Sequence, residues 1–149
     1  LIDSLPSKIA ILFHSLKISQ SQFQLIQKTN FIDRFTSVDP TKVLFELKSD
    51  TLLLEYWVFE DSSQSLNAFY NWLDHEGISL NVVSEAKKNS FLMVIEKNEI
   101  LKISNSTKTK LGEWINYLSI SNTLYIINNL NDSKIRFSTI KEGKNVELN

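Results

Sequence analysis

Two histidines, seventeen acidic side chains and nineteen serines are the groups of this 149-residue chain that could do chemistry. His14 borders an apolar stripe, and His75 stands in the run Asp74-His75-Glu76. Neither has a second histidine at i+3 or i+4. Three adjacent helical residues fan out over ~200°, so they cannot converge on one ion, and that run reads as a solvated helix end. Glu46-Leu47-Lys48, with Asp33 or Asp39 upstream, is a second constellation. Its carboxylates could hold Mg²⁺ while the lysine steadies an attacking water; the alternative is a set of solvated hairpin charges. The serines lack a GxSxG elbow. Gly77, Gly112 and Gly143 are too few and too scattered for an elbow or for a phosphate-cradling loop. Without cysteine there is no thiolate nucleophile, disulfide or iron–sulfur ligation. No cofactor and no metal is expected.

The acid and Glu46-x-Lys48 spacing resembles the acid…ExK pattern of metal-dependent nucleases, which implies a Mg²⁺-dependent nuclease centred on Glu46 and Lys48. Residues 15–23, Ser-Leu-Lys-Ile-Ser-Gln-Ser-Gln-Phe, resemble the join between the first two helices of a helix-turn-helix domain. That resemblance covers about 16 residues and stops after Ile26-Gln27-Lys28. It implies a DNA-binding accessory domain working through Lys17, Lys28 and Arg34. The competing reading is a helical pair that packs on the rest of the fold.

Charge is unevenly distributed. The net value is −1, which gives no global reason to expect nucleic acid or an anionic membrane as a partner. Yet residues 49–86 contain no Lys or Arg and seven acids: Asp50, Glu55, Glu60, Asp61, Asp74, Glu76 and Glu85. Residues 1–48 carry six basic and four acidic groups, and residues 87–149 ten and six. The acidic stretch also holds six of the sixteen aromatics. Rings rimmed by one sign of charge suit a recognition surface, because rings supply contact area and charges steer and select. Most of those rings must also serve the core. Glu60, Asp61, Asp74 and Glu76, with Trp72 at the edge of the helical stripe, are the candidate partner-binding residues. The function expected is a non-enzymatic interaction module, an adaptor or an inhibitor of the immunity-protein type, that binds a protein with a basic surface. With no leader-like segment and no apolar run near ~20 residues, the chain is expected in the cytoplasm without a membrane span.

These residues need elements to position them. The apolar spacing predicts helices over 4–17 and 20–35, separated from the rest by Asp39-Pro40. Beyond Pro40 the period changes to two: strands over 43–48 and 51–59, turning at Ser49-Asp50. Asp61 or Ser62 caps a helix to about His75, and Gly77 ends it. A strand over 78–83, a hairpin over 91–96 and 99–104, a helix over 107–118 capped by Ser106, and strands over 123–128 and 134–140 follow. Residues 141–149 read as a frayed tail. A shift of 45 residues lays the stripe of the first long helix on the second, Leu66 on Leu111 and Phe69 on Trp114. Duplication and shared packing demand both account for that. The fold class expected is α+β: an N-terminal helical pair over 1–36, then two ββαβ-like units over 42–140 forming an antiparallel or mixed sheet with helices packed on it. Ferredoxin-like and roadblock- or longin-like topologies both fit this element order.

Overall fold

The computed structural model describes residues 2–78, 89–132 and 134–148. Eight strands of the described residues form one sheet: β1 Phe23–Leu25, β2 Thr41–Leu47, β3 Asp50–Val58, β4 Phe91–Glu96, β5 Glu99–Ser104, β6 Tyr125–Asn128, β7 Arg136–Lys141 and β8 Lys144–Glu147. Their spatial order is β1-β2-β3-β5-β4-β6-β7-β8, and every described pairing is antiparallel. Among the described residues three α-helices pack on it: α1 Ser7–Leu16, α2 Ser62–Glu76 and α3 Leu111–Leu118. Among the described residues no helix is long and apolar enough to cross a membrane.

Strand alternation divides the core in two. One face carries Val43, Phe45, Leu52, Leu54, Val94 and Ile103, covered by α1 (Ile9, Leu12, Phe13) and α3 (Leu111, Trp114). The other carries Trp57, Met93, Ile95 and Ile100, covered by α2 (Phe69, Trp72, Leu73) and by a short 3-10 turn at Phe31–Phe35. The handedness of chain crossovers explains this split. β3 and β4 run parallel with β5 between them, and β5 and β6 run parallel with β4 between them. Both crossovers step the same way along the sheet but start from antiparallel strands. Right-handed crossovers must then lay their helices, α2 and α3, on opposite faces. In a ferredoxin-like sheet the second crossover steps back, so both helices share a face. The split βαβ units expected from sequence are present; their ferredoxin-like closure is not. An in-plane half-turn superposes hairpin β2–β3 on β5–β4 without exchanging faces, so it cannot carry α2 onto α3. Shared packing demand therefore accounts for the matching stripes.

Three other expectations are corrected. No helix forms over 20–35. Instead Gln20–Gln22 is a 3-10 turn, Phe23–Leu25 joins the edge of the sheet, and Asn30 caps the turn at 31–35. Phe23 is drawn down by a ring of α1, packing at a tilt on Phe13 with centroids 5.3 Å apart. The segment that would open a roadblock- or longin-like domain with a helix thus opens on a strand, and the second helix of the helix-turn-helix resemblance is not formed. Within 141–149, Lys144–Glu147 pairs with β7 as the last strand. Helix α3 begins at Leu111 rather than 107, because Asp50 holds the preceding loop: its carboxylate accepts from the Thr107 N–H at 2.9 Å and the Lys108 N–H at 3.2 Å. Ser106 instead accepts Trp114 Nε1–H at 3.1 Å. The strand expected over 78–83 lies outside the described residues from 79 onward.

Candidate functional site

Helix α2 carries most of the residues singled out by sequence, and its two ends are built by standard capping chemistry. Asp61 is extended at φ −153°, and its Oδ1 accepts the Gln64 N–H at 2.9 Å. Glu60 Oε2 accepts from Gln64 Nε2 at 3.2 Å. At the other end Gly77 takes φ +69°, a left-handed conformation that glycine adopts without a Cβ penalty. Its N–H reaches Asp74 O at 3.1 Å while Ile78 N–H reaches Leu73 O at 2.9 Å, a Schellman closure. Ser65, Ala68, Phe69, Trp72 and Leu73 are buried. Gln64, Asn67, Tyr70, Asn71 and Asp74 face solvent. The exposed residues thus supply carboxylates, amides, the Tyr70 ring and, at the C-terminal end, the His75 imidazole, with no lysine or arginine. Tyr70 Oη lies 3.0 Å from Tyr125 Oη, and this hydrogen bond, with burial, raises its phenol to about 12.

Fifteen residues at 1.5 Å each separate the ends by about 22 Å, so the four acids form two pairs rather than one patch. The pairs differ physically. Glu60 and Asp61 sit where the helix dipole favours negative charge, and capping accounts for Asp61. Asp74 and Glu76 sit at the C-terminal end, where the dipole opposes them. Helix stability does not explain that second pair. His75, between them, stacks on Phe31 with ring centroids 4.0 Å apart. Of the remaining acids in 49–86, Asp50 anchors the loop before α3, Glu55 is interior, and Glu85 lies outside the described residues.

Trp72 is not an exposed edge ring. It is 3% exposed, packed edge-on against Phe91 at 5.8 Å, and Lys102 Nζ stands 5.8 Å from its ring. With Glu76 it lines a cavity of about 350 Å³ whose other charged walls are Lys28, Glu55 and Lys102. This cavity joins Trp72 and Glu76 of the candidate acidic surface to Lys28 of the DNA-binding reading, to Glu55 and to Lys102, the one charged wall that the sequence did not single out.

The wall beneath is a buried ionic row. Register places Lys42 opposite Glu55 and Glu55 opposite Lys102 on the α2 face of the sheet. Lys42 and Glu55 are 4% and 1% exposed. Lys42 Nζ donates to Asp33 Oδ2 at 2.9 Å and to the Lys28 carbonyl, and stands 3.4 Å from Glu55 Oε2. Asn30 Nδ2 donates to Glu55 Oε2 at 3.0 Å, and Trp57 Nε1–H to Asp33 Oδ1 at 2.8 Å. Segment 28–35 is thereby pinned to β2 and β3. A signal for this was present in the sequence. The hairpin turns at Lys48-Ser49, both at positive φ (+51° and +71°), and counting outward from Leu47 opposite Asp50 pairs Lys42 with Glu55. Placing the turn one residue later, at Ser49-Asp50, slips the register by two and hides the pair.

Burial pushes the Asp33 carboxyl up, but hydrogen bonds from Lys42, Trp57 and the Asn30 N–H, with the Lys42 charge, outweigh it and hold it below 3.8. A depressed carboxylate contributes stability above its unfolded value near 3.9, lost as pH falls through the lower folded value. Between about pH 6 and about pH 3, urea unfolding is expected to show a steeper loss of stability in the wild type than in an Asp33→Asn variant. Equal slopes would remove Asp33 from the acid-sensitive groups.

The structure does not gather the other constellations. Asp33 engages Lys42, whereas Lys48 Nζ reaches Glu113 Oε2 at 2.8 Å on α3, across the sheet. Glu46 is exposed on β2. Among the described residues no group of three or more His, Asp or Glu side chains is placed to hold a metal ion. Arg34 covers the Phe31 ring at 4.6 Å, and Lys28 lines the cavity, so two of the three basic residues of the DNA-binding reading have local roles.

No protein-family model matches the chain, and neither the curated proteins nor the solved structures compared with it give a match.

Proposed function

We propose that the chain is a non-enzymatic protein-interaction module, an adaptor or inhibitor of the immunity type, that offers the outer face of α2 to a partner with a basic surface. The observation that carries this reading is Asp74 exposed at a helix end where the dipole opposes it, on an outer helix face whose own residues include no lysine or arginine, with Glu76 beside it at the mouth of the cavity. A helix closed by caps at both ends presents that face rigidly, which keeps the entropy cost of docking low. Tyr70, 41% exposed and tethered to Tyr125, supplies an ordered ring at its middle.

The test separates charge from fold. Asp61 is changed to Asn, which still caps the helix, while Glu60, Asp74 and Glu76 become Lys. Immobilised wild type and variant capture partners from an extract of the producing cells, and association kinetics are then measured on the captured protein. The variant is expected to associate at least about tenfold more slowly at low salt, with the difference shrinking as salt rises. A partner held equally well by both forms at low salt would end the reading.

A further inference from the structure

The described sheet ends in two open edges, β1 and β8, and their chemistry differs. β8 carries Lys144 and Glu147, and Glu147 Oε1 accepts from Arg136 Nη1 at 2.9 Å. Charge of this kind is what natural edge strands use against joining another chain. β1 has none. No charged residue lies between Lys17 and Lys28, and the edge reads Gln22-Phe23-Gln24-Leu25-Ile26-Gln27, without glycine or proline. An uncharged run of apolar residues and amides without proline is the composition that favours strand addition. Leu25 stands 59% exposed on that edge.

The backbone is set for such an addition. The Ile26 N–H reaches Lys42 O at 2.9 Å, so Ile26 and Gln24 turn their N–H and C=O groups toward β2. Alternation then points those of Phe23 and Leu25 outward. A second copy can add antiparallel about a two-fold axis normal to the sheet, passing between the two Gln24 residues. Phe23 then lies opposite the partner's Leu25, and Leu25 opposite the partner's Phe23, with four backbone hydrogen bonds between them. On the α1 face this covers the exposed Leu25 with a ring, and Phe23 is already steadied by Phe13 at 5.3 Å between centroids. On the other face Gln24, which is exposed, meets the partner's Gln24. A residue beside a two-fold axis meets its own kind. Lysine or glutamate there would repel itself, whereas a primary amide is donor and acceptor at once and can bond its copy reciprocally. That self-complementarity selects a second copy of the chain as the occupant.

We propose that two copies of this chain pair through β1, antiparallel, with Gln24 beside the two-fold axis and Phe23 against the partner's Leu25. α2 packs over β4 and β5, away from β1, so its outer face stays open and the pairing is independent of the protein-binding reading. Three paired residues per copy make a small interface, so the dissociation constant is expected at about 0.1–1 mM.

The experiment runs the full chain by sedimentation velocity from about 10 µM to about 2 mM, a range that brackets the expected constant. ¹⁵N amide spectra are recorded over the same range. The average mass is expected to climb from monomer toward dimer and no further, with amide shifts centred on Phe23 and Leu25. Gln24→Lys puts like charges beside the axis and should weaken association at least about tenfold at low salt. Leu25→Lys gives a second reading should Gln24→Lys not fold. Val146→Lys, which charges the β8 edge further, should leave association unchanged. Monomer mass at every concentration overturns the inference. So does a dimer undiminished in the folded β1 variants, one lost in Val146→Lys, or shifts centred on β8 or α2. Growth beyond the dimer overturns it too, because it marks head-to-tail joining of β1 to β8.

Discussion

Replacing Lys42 with methionine is expected to cost about 3–5 kcal/mol of folding stability, because it removes the buried cation that interior Glu55 and Asp33 share. Asn30 remains as a donor to Glu55, but one amide does not compensate a buried carboxylate. The second variant in the series, Lys42→Met with Glu55→Leu, should recover most of the loss, since removing both charges removes the penalty of burying either. Urea unfolding by tryptophan fluorescence checks this: the midpoint falls for the single variant and returns for the double, with an unchanged slope. If the single variant lost less than about 1 kcal/mol, the network would not be holding segment 28–35 in place. The same experiment bears on the 350 Å³ cavity, because Lys28 and Asn30 form one of its walls.

The second large effect is expected on the opposite face. Trp114 is fully buried at the centre of the α1 and α3 layer. Truncation to alanine should cost about 3–5 kcal/mol through lost transfer energy and a residual cavity. Ser106 Oγ also loses its donor. For a chain of this size that corresponds to a fall in melting temperature of roughly 6–20 °C, readable by calorimetry. Trp114→Phe should avoid much of the loss, since a ring still fills the site. Because Lys42 and Trp114 face opposite sides of the sheet and share no partner, the two destabilisations should add.

What could be read from the sequence divides along a physical line. Features set by local chemistry were legible: Asp61 and Gly77 at the ends of α2, and the β4–β5 hairpin. Features set by tertiary contact were not. Phe23, Ile26, Phe31 and Ile32 suit a helix loosely, but Phe23 is taken by the α1 rings and Ile32 by the α2 core, and nothing local announces either. β8 is exposed along its whole length, so no burial pattern marks it. At the candidate site the four acids were found, yet their division into two pairs needed the length of α2. Position 72 lies at the margin of the stripe, which suits a rim ring; the buried packing of Trp72 on Phe91 depends on where β4 sits. The Lys42–Glu55 pair was within reach of register counting and was lost to a turn placed one residue late.

The insertion of hairpin β5–β4 between β3 and β6 has a consequence for synthesis of the chain. β3 is completed at Val58, and its outer neighbour β5 starts only at Glu99, 41 residues later. At about 5–20 residues per second, the growing chain carries β3, with Leu53, Leu54, Tyr56 and Trp57, beside an unpaired edge for roughly 2–8 s. An unpaired apolar strand edge is a template for pairing with another chain. Glu55, set in the middle of that strand and matched by Lys42 from the hairpin already made, places charge where a wrong neighbour would dock. The same ion pair that later lies sealed in the fold thus interrupts the edge during the interval when it is most exposed.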